Sequence, residues 1–259
     1  NNSYCDLLFY VNASKTIEEP NDRPVITPDD GNEPEKPDVT ETKTGTLAFE
    51  DIWPGGGDYD MNDVIVEYNR AVSFDKKNQV TKIVDTFTPV HDGAVFANAF
   101  AYQVDKGQFG KMTFSATTEG IHTESATSSI IVCPNVKQAI QKVYTITREF
   151  TGGSFNKKDL KSYNPYIIVK YAEGQKGRTE VHLPKHEATS LADLSLAGTQ
   201  KDAYYIDKEG AYPFAIDIPI LNFISVTEKK SIDTEYPNFK AWADSKGEKY
   251  TDWYNNHVN

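Results

Sequence analysis

The sequence predicts a mainly β protein: an antiparallel, jelly-roll-like β-sandwich with one short helix near the C-terminus. Apolar and polar residues alternate in 64–68 and again in 80–84, which is the period of a half-buried strand. Turn-forming residues separate such runs at short intervals, as in Asp75-Lys76-Lys77-Asn78 and His91-Asp92-Gly93. Many short strands joined by tight turns are typical of a sandwich.

Strands are predicted throughout the part of the chain that follows residue 44. Their bounds are 45–52, 63–74, 79–88, 94–104, 111–118, 128–133, 141–150, 165–171, 178–183 and 212–218. A helix is predicted at about 235–245, because Phe239, Trp242 and Ala243 share one face and Gly247 follows as a stop signal.

Composition divides the chain into three parts. We interpret residues 1–11 as the remnant strand of a preceding module, because they contain a short apolar run. Residues 12–43 are predicted to be an acidic, Pro-rich linker, since five prolines and nine acidic residues leave little apolar surface to bury. Residues 44–259 are predicted to form the β-rich domain, either as one unit or as two packed sub-sandwiches, about 44–135 and 136–259.

The overall charge narrows the classes of partner. The chain has 259 residues and a net charge of −11, which argues against binding to nucleic acid or to an anionic membrane surface. No apolar run approaches the roughly 18 residues of a membrane span. No signal peptide or anchor is recognisable, so we expect any such segment to lie outside this sequence. The two cysteines, Cys5 and Cys133, leave open whether they pair.

The most distinctive segment is a glycine-rich, acidic loop between the first two predicted strands of the domain. Three glycines, 55–57, are followed by oxygen-bearing side chains at every second position. Calcium is held by about six to eight oxygen ligands, so this pattern predicts a calcium site. The predicted ligands are Asp58, Asp60, Asn62 and Asp63, with Asp51 as a weaker candidate.

The loop differs from an EF-hand, whose first half it resembles in spacing. Asp63 stands where an EF-hand has glycine, and Asn69 stands where it has the bidentate glutamate. The residues that follow predict a strand rather than the exiting helix. The alternative interpretation is an acidic turn whose side chains accept hydrogen bonds from nearby backbone amides.

The sequence offers little support for an enzyme. His182 and His186 have the spacing of helical zinc ligands, but Pro184 lies between them and argues against a helix. The acidic residues of the loop are too close together for the paired carboxylates of a glycosidase. The glycines precede carboxylates, which would repel phosphate. We therefore expect no enzymatic activity.

The loop and its flanks resemble the LruC domain found in secreted and outer-membrane lipoproteins of Bacteroides-like bacteria. The resemblance covers about 44–259. It implies a secreted or surface β-rich domain, with calcium at the Asp-Tyr-Asp loop and no established enzymatic activity. The matching segments are Phe49-Glu50-Asp51, Trp53-Pro54, Gly57-Asp58-Tyr59-Asp60, Asn62-Asp63 and the strand through Tyr68, Asn98-Ala99-Phe100 with Gln103, Val181-His182-Leu183-Pro184-Lys185-His186, Pro213-Phe214-Ala215-Ile216-Asp217-Ile218-Pro219, Ala241-Trp242 and Asp252-Trp253-Tyr254.

Together these observations predict a non-enzymatic, monomeric module at the extracellular or outer-membrane surface, with a calcium-stabilised loop, used for adhesion or ligand binding. Its partner would be a surface protein or a glycan. The alternative is a carbohydrate-binding module of a polysaccharide-processing system, because several late aromatic residues lie in polar surroundings where they could stack on sugar rings. A glycan hydrolase is the least favoured hypothesis.

Overall fold

The computed structural model describes residues 39–150, 155–161, 163–199, 205–207, 209 and 212–258. Within them the fold is mainly β, with two antiparallel sheets and two short helices, which confirms the predicted fold class. The predicted remnant strand 1–11 and residues 12–38 of the predicted linker lie outside the described residues. None of the described helices is long and apolar enough to cross a bilayer.

The strands of the described part follow the predicted segments closely. They are β1 (Val39–Phe49), β2 (Val64–Phe74), β3 (Val80–His91), β4 (Ala99–Gln103), β5 (Met112–Ala116), β6 (His122–Glu124), β7 (Ser129–Cys133), β8 (Tyr144–Phe150), β9 (Asn164–Ile168), β10 (Glu180–His182) and β11 (Ala215–Ile218). The helices are α1 (Lys106–Phe109) and α2 (Phe239–Asp244). The pattern missed β6 and α1, which are too short to show a period, whereas α2 confirms the predicted helix at 235–245.

The strands form two sheets, each built from both halves of the domain. The larger sheet has six strands in the order β11-β1-β2-β3-β8-β5, and the smaller has five in the order β10-β9-β4-β7-β6. Each sheet contains strands from before and after residue 135, so the division into sub-sandwiches 44–135 and 136–259 is wrong. β1 begins at Val39, so residues 39–43, which the composition placed in the linker, belong to the first strand.

The main core lies between the two sheets. The larger sheet contributes fully buried Leu47, Val66 and Ile146, and the smaller contributes Phe100 and Ile167. Their side chains alternate with residues that face the opposite side of each sheet, as the pleat of a strand requires. The alternation seen in the sequence therefore does select the buried face of each central strand.

A second core forms where the C-terminal segment covers the outer face of the larger sheet. Phe239 of α2 is fully buried and contacts Trp253 at 4.8 Å between ring centroids. Trp242 lies on the same helix but is only partly buried. Gly247, at φ +83°, follows the helix and donates its N–H to Trp242 O at 3.0 Å, as expected of a C-terminal stop. We name this second core the cap cluster; its buried members are Ala48, Met61, Ile65, Ile216, Ile218, Phe223, Val226, Ile232, Tyr236, Phe239, Ala243 and Trp253.

A buried ion cluster joins the two sheets inside the main core. Asp85 of β3 accepts hydrogen bonds from Arg70 at 2.6 Å, from Arg148 at 2.8 Å and from the hydroxyl of Tyr102 in the other sheet at 3.0 Å. Burial by itself raises the pKa of Asp85, but the two guanidinium groups outweigh it and lower that pKa to about 2. The carboxylate therefore stays ionised in the core.

The cap cluster predicts a difference between two aromatic residues of α2. Phe239→Ala should lower the free energy of unfolding by about 3–5 kcal/mol, because a fully buried ring leaves a cavity. Trp242→Ala should cost clearly less, since its ring is partly exposed and can be replaced by water. Urea unfolding of both variants measures this. Equal losses would mean that Trp242 anchors the helix as strongly as Phe239 does, which would contradict this difference.

The ion cluster predicts the pH dependence of one carboxyl group. Because the pKa of Asp85 is lowered in the folded state to about 2, its contribution to stability is present above about pH 4 and is lost as the pH falls towards 2. Carboxyl-carbon NMR should therefore show Asp85 ionised at pH 3. Arg148→Met removes one guanidinium and should raise that pKa. Protonation of wild-type Asp85 near pH 4 would contradict the assignment.

Candidate metal centre

The acidic loop connects β1 to β2 and is fixed by the side chains that alternate with its aspartates. Tyr59 and Met61 have positive φ angles of 58° and 54°. Met61 is fully buried in the cap cluster, and the ring of Tyr59 packs 5.2 Å from that of Tyr212. Tyr59 and Met61 therefore point into the protein. Because side chains alternate along the loop, Asp58 and Asp60 lie on its other side.

Three carboxylates meet at this loop. One carboxylate oxygen from each of Glu50, Asp58 and Asp60 lies within 4.8 Å of the other two. Calcium ligands stand about 2.3–2.6 Å from the ion, so oxygens on opposite sides of one ion are separated by up to about 5 Å. The spacing therefore fits three oxygens around a single cation. Glu50 and Asp60 are buried, whereas Asp58 is exposed.

Glu50 is the most constrained member of this group. Its side chain is fully buried, and its Oε1 accepts a hydrogen bond from the backbone N–H of Met61 at 2.6 Å. Its Oε2 has no hydrogen-bond partner. Burial, followed by the negative charge of Asp63, raises the pKa of Glu50 well above its usual range. An ionised carboxylate in this position requires a positive charge beside it.

Asp60 ties the loop to the segment that leads into the cap cluster. Its Oδ2 accepts a hydrogen bond from the backbone N–H of Lys229 at 2.9 Å. Asn62 donates from its side-chain amide to Val226 O at 3.1 Å, and Ile232 donates its N–H to Tyr59 O at 2.8 Å. Three contacts therefore link the acidic loop to residues 226–232. Burial raises the pKa of Asp60 as well.

Asp51 and Asp63 take part in two linked hydrogen bonds beside the three carboxylates. Asp63 Oδ2 accepts the backbone N–H of Asp51 at 2.7 Å, and Asp51 Oδ2 accepts the side-chain amide of Asn98 at 2.7 Å. These two hydrogen bonds join the end of β1, the start of β2 and the residue before β4. Burial, opposed by the hydrogen bond from Asp51, raises the pKa of Asp63 to about 7.

The structure brings together two of the predicted ligands, Asp58 and Asp60, and adds Glu50, which sequence reasoning missed. Asn62 donates through its side-chain nitrogen to Val226 O, but its buried Oδ1 has no hydrogen-bond partner, whereas the side chains of Asp63 and Asp51 have the partners described above. A signal for Glu50 was present in the sequence: it is a charged residue directly after the apolar end of a strand and directly before a glycine loop. Burial of such a residue is costly unless its charge is compensated.

Taken together, the fold and this group of carboxylates define an antiparallel β-sandwich domain with a candidate cation site in the loop between its first two strands. Residues 78–254 match the family described as Domain of unknown function (DUF4842). Because this match spans more than half of the 259 residues, the chain belongs to that family. No curated protein matches the chain. The resemblance to the LruC domain rests on the sequence motifs alone.

A solved structure shares the fold. It is a crystal structure described as that of a candidate lipoprotein from Bacteroides ovatus, with a TM-score of 0.63 and 18% sequence identity. The alignment covers 86% of this chain and 76% of the neighbour. At 18% identity this comparison shows that the two proteins share a fold, and it shows nothing beyond the fold.

The contact between Gly57 and Glu50 generates a prediction about the loop glycines. A Cβ atom at Gly57 would lie 2.4 Å from Glu50 Oε2, whereas one at Gly55 would come no closer than 3.3 Å to Ile52 O. Gly57→Ala should therefore lower the free energy of unfolding by about 1–3 kcal/mol, as overpacking does. Gly55→Ala, the matched control, should cost less in the same urea titration. Equal effects would show that the Glu50 carboxylate moves freely.

Proposed function

We propose that this domain is a non-enzymatic surface or secreted module whose acidic loop binds calcium through Glu50, Asp58 and Asp60. The observation that carries the proposal is the fully buried Glu50 Oε2 without a hydrogen-bond partner, in a group whose oxygens have the spacing of ligands on one cation. All three donors are carboxylate oxygens, which are the ligands that calcium prefers.

Calcium would act here as a structural link. Without a cation, Glu50 is destabilised by burial and by the charges of Asp58, Asp60 and Asp63. A divalent ion compensates these charges and fixes the loop. Since Asp60 also holds the N–H of Lys229, the ion would stabilise the contact between the loop and the segment that enters the cap cluster.

We further propose a location at the extracellular or outer-membrane surface and a role in adhesion or ligand binding, with the domain acting as a monomer. The lipoprotein-like description of the structural neighbour and the sequence resemblance to surface lipoproteins support this location. The partner would be a surface protein or a glycan.

The alternative, a carbohydrate-binding module, has weaker support from the described aromatic residues. Tyr205 and Trp253 are both only 3% exposed and belong to the cores. Tyr212 stacks on Phe239, with 5.7 Å between ring centroids. Rings packed in this way have no free face for a sugar. Tyr250, at 50% exposure, is the most exposed large aromatic side chain in the described residues.

The calcium proposal predicts a metal-dependent stability. A ligand that binds only the folded state stabilises it by about 2.7 kcal/mol at one hundred times its Kd, so calcium should raise the melting temperature of the chelated protein. Magnesium should do so less, because it requires a tighter, octahedral geometry. Differential scanning calorimetry in chelator, calcium and magnesium measures this effect.

Charge-neutralising variants locate the site. Glu50→Gln and Asp58→Asn should each remove the calcium response. In chelator each variant should be at least as stable as the wild type, because the repulsion between one carboxylate and its acidic neighbours is lost. Glu149→Gln, an exposed position on β8, is the matched control and should respond as the wild type does. Identical melting of the wild type in calcium and in chelator would reject the site and favour the acidic turn.

A further inference from the structure

An apolar groove follows the edge of the larger sheet. It has a volume of about 370 Å³ and contacts three consecutive residues of β11, Ala215, Ile216 and Asp217. Consecutive strand residues point to opposite faces: Ala215 packs in the main core, whereas Ile216 packs in the cap cluster. A groove that reaches all three residues therefore follows the edge of the strand rather than one face. We name it the edge groove.

The walls of the edge groove are apolar on both sides of β11. Leu183 and Pro184, which follow β10 of the smaller sheet, line one side. Trp242 and Ala243 of α2 line the other. A strand that is covered on both faces consists of a nearly continuous apolar run, in contrast to the alternating pattern of a half-exposed strand. The groove thus matches an extended segment with consecutive apolar residues.

The backbone of β11 offers hydrogen-bonding groups to such a segment. β11 is an outermost strand, and Glu50 donates its N–H to Phe214 O at 2.9 Å. Because hydrogen-bonded pairs alternate in an antiparallel ladder, Ile216 faces Ala48 of β1, whereas the N–H and C=O of Ala215 and Asp217 point away from β1. None of the residues that the structure describes pairs with this edge of β11, and an unpaired strand edge is a template for an added strand.

The charges at the rim of the edge groove are unbalanced. Asp217 is paired with Lys43 at 3.0 Å, and Asp244 is paired with Lys240. Lys185 and Lys246 line the groove and are exposed, and neither has an acidic partner among the residues that the structure describes. The uncompensated charge is therefore positive, in a chain whose net charge is −11.

We propose that the edge groove binds an extended peptide segment of a partner protein by strand addition to β11. The segment carries consecutive apolar side chains and carboxylates that reach Lys185 and Lys246 at the rim. Backbone hydrogen bonds to Ala215 and Asp217 supply affinity, and the apolar walls and the lysines supply specificity, as in other cases of β-strand addition. This gives a partner class to the ligand-binding role proposed above, and it requires no metal.

Amide hydrogen exchange tests the proposal directly. The probe is a soluble peptide with the sequence Val-Leu-Val-Ile-Glu-Glu, added to the chelated protein. It should slow exchange at the N–H groups of Ala215 and Asp217 by roughly tenfold or more, with little change at Ile216, whose N–H is already bonded to β1. If Ala215 and Asp217 are already protected in the free protein, the edge is covered by the chain itself and the proposal is overturned.

Charge reversal tests the role of the rim. Combined Lys185→Glu and Lys246→Glu should raise the Kd of this peptide roughly tenfold, the effect expected of two partly screened charge pairs. Combined Lys106→Glu and Lys111→Glu makes the same change of charge at exposed positions around α1 and should leave the Kd unchanged. Equal affinity of the peptide for both double variants would overturn the role of the lysines.

The remaining occupant to distinguish is a second copy of the chain. Sedimentation of the free protein should show a monomer. A dimer that the peptide dissociates would overturn the proposal and assign the groove to self-association. Because the exchange experiment is run in chelator, failure of peptide binding and failure of the calcium site are read out separately.

Discussion

The constraint on which the rest of this structure depends is the burial of a carboxylate at the end of the first strand. β1 lies inside the larger sheet, between the edge strand β11 and β2, and it ends directly before Glu50. The loop that follows has to compensate a charge that has left water, which costs several kcal/mol if nothing pairs with it. Asp58 and Asp60 cannot do so by themselves, because they carry the same charge. Without a cation, the raised pKa of Glu50 favours its protonated, uncharged form, whereas the cation proposed above would allow the carboxylate to stay ionised.

The same loop connects parts of the molecule that are distant in sequence. Tyr59 and Met61 enter the cores, Asp60 and Asn62 hold the segment 226–229, and Asp63 holds the start of the loop. A change in the charge of the loop is therefore expected to alter the stability of the cap cluster. By contrast, the ion cluster around Asp85 is fully compensated by two guanidinium groups and needs no external ion.

Much of the fold could be predicted because strand periodicity is a local property. The alternation in β2 and β3 reports which face is buried, and Gly247 marks the end of α2. The pairing of strands is not local, which is why the division at residue 135 failed: β3 pairs with β8, and β4 pairs with β9, across that boundary. The D-x-D spacing singled out Asp58 and Asp60, whose carboxylates the structure places beside that of Glu50. Glu50 was missed because it reaches the site from across the loop. The hydrogen bonds of Asp63 with the Asp51 N–H and of Asp51 with Asn98 depend on tertiary contacts that no spacing rule reveals.

The pairing of β1 with β11 has a consequence for how the chain reaches this structure. Thr46 lies opposite Ile218, so one edge of β1 is completed only after nearly the whole domain has left the ribosome. At a synthesis rate of about 5–20 residues per second, that edge waits roughly ten seconds or longer for its partner. During this interval β1 exposes unpaired backbone groups beside apolar side chains, a combination that favours association with other nascent chains. The exposed, charged first half of β1, with Glu41 and Lys43, limits this risk during synthesis.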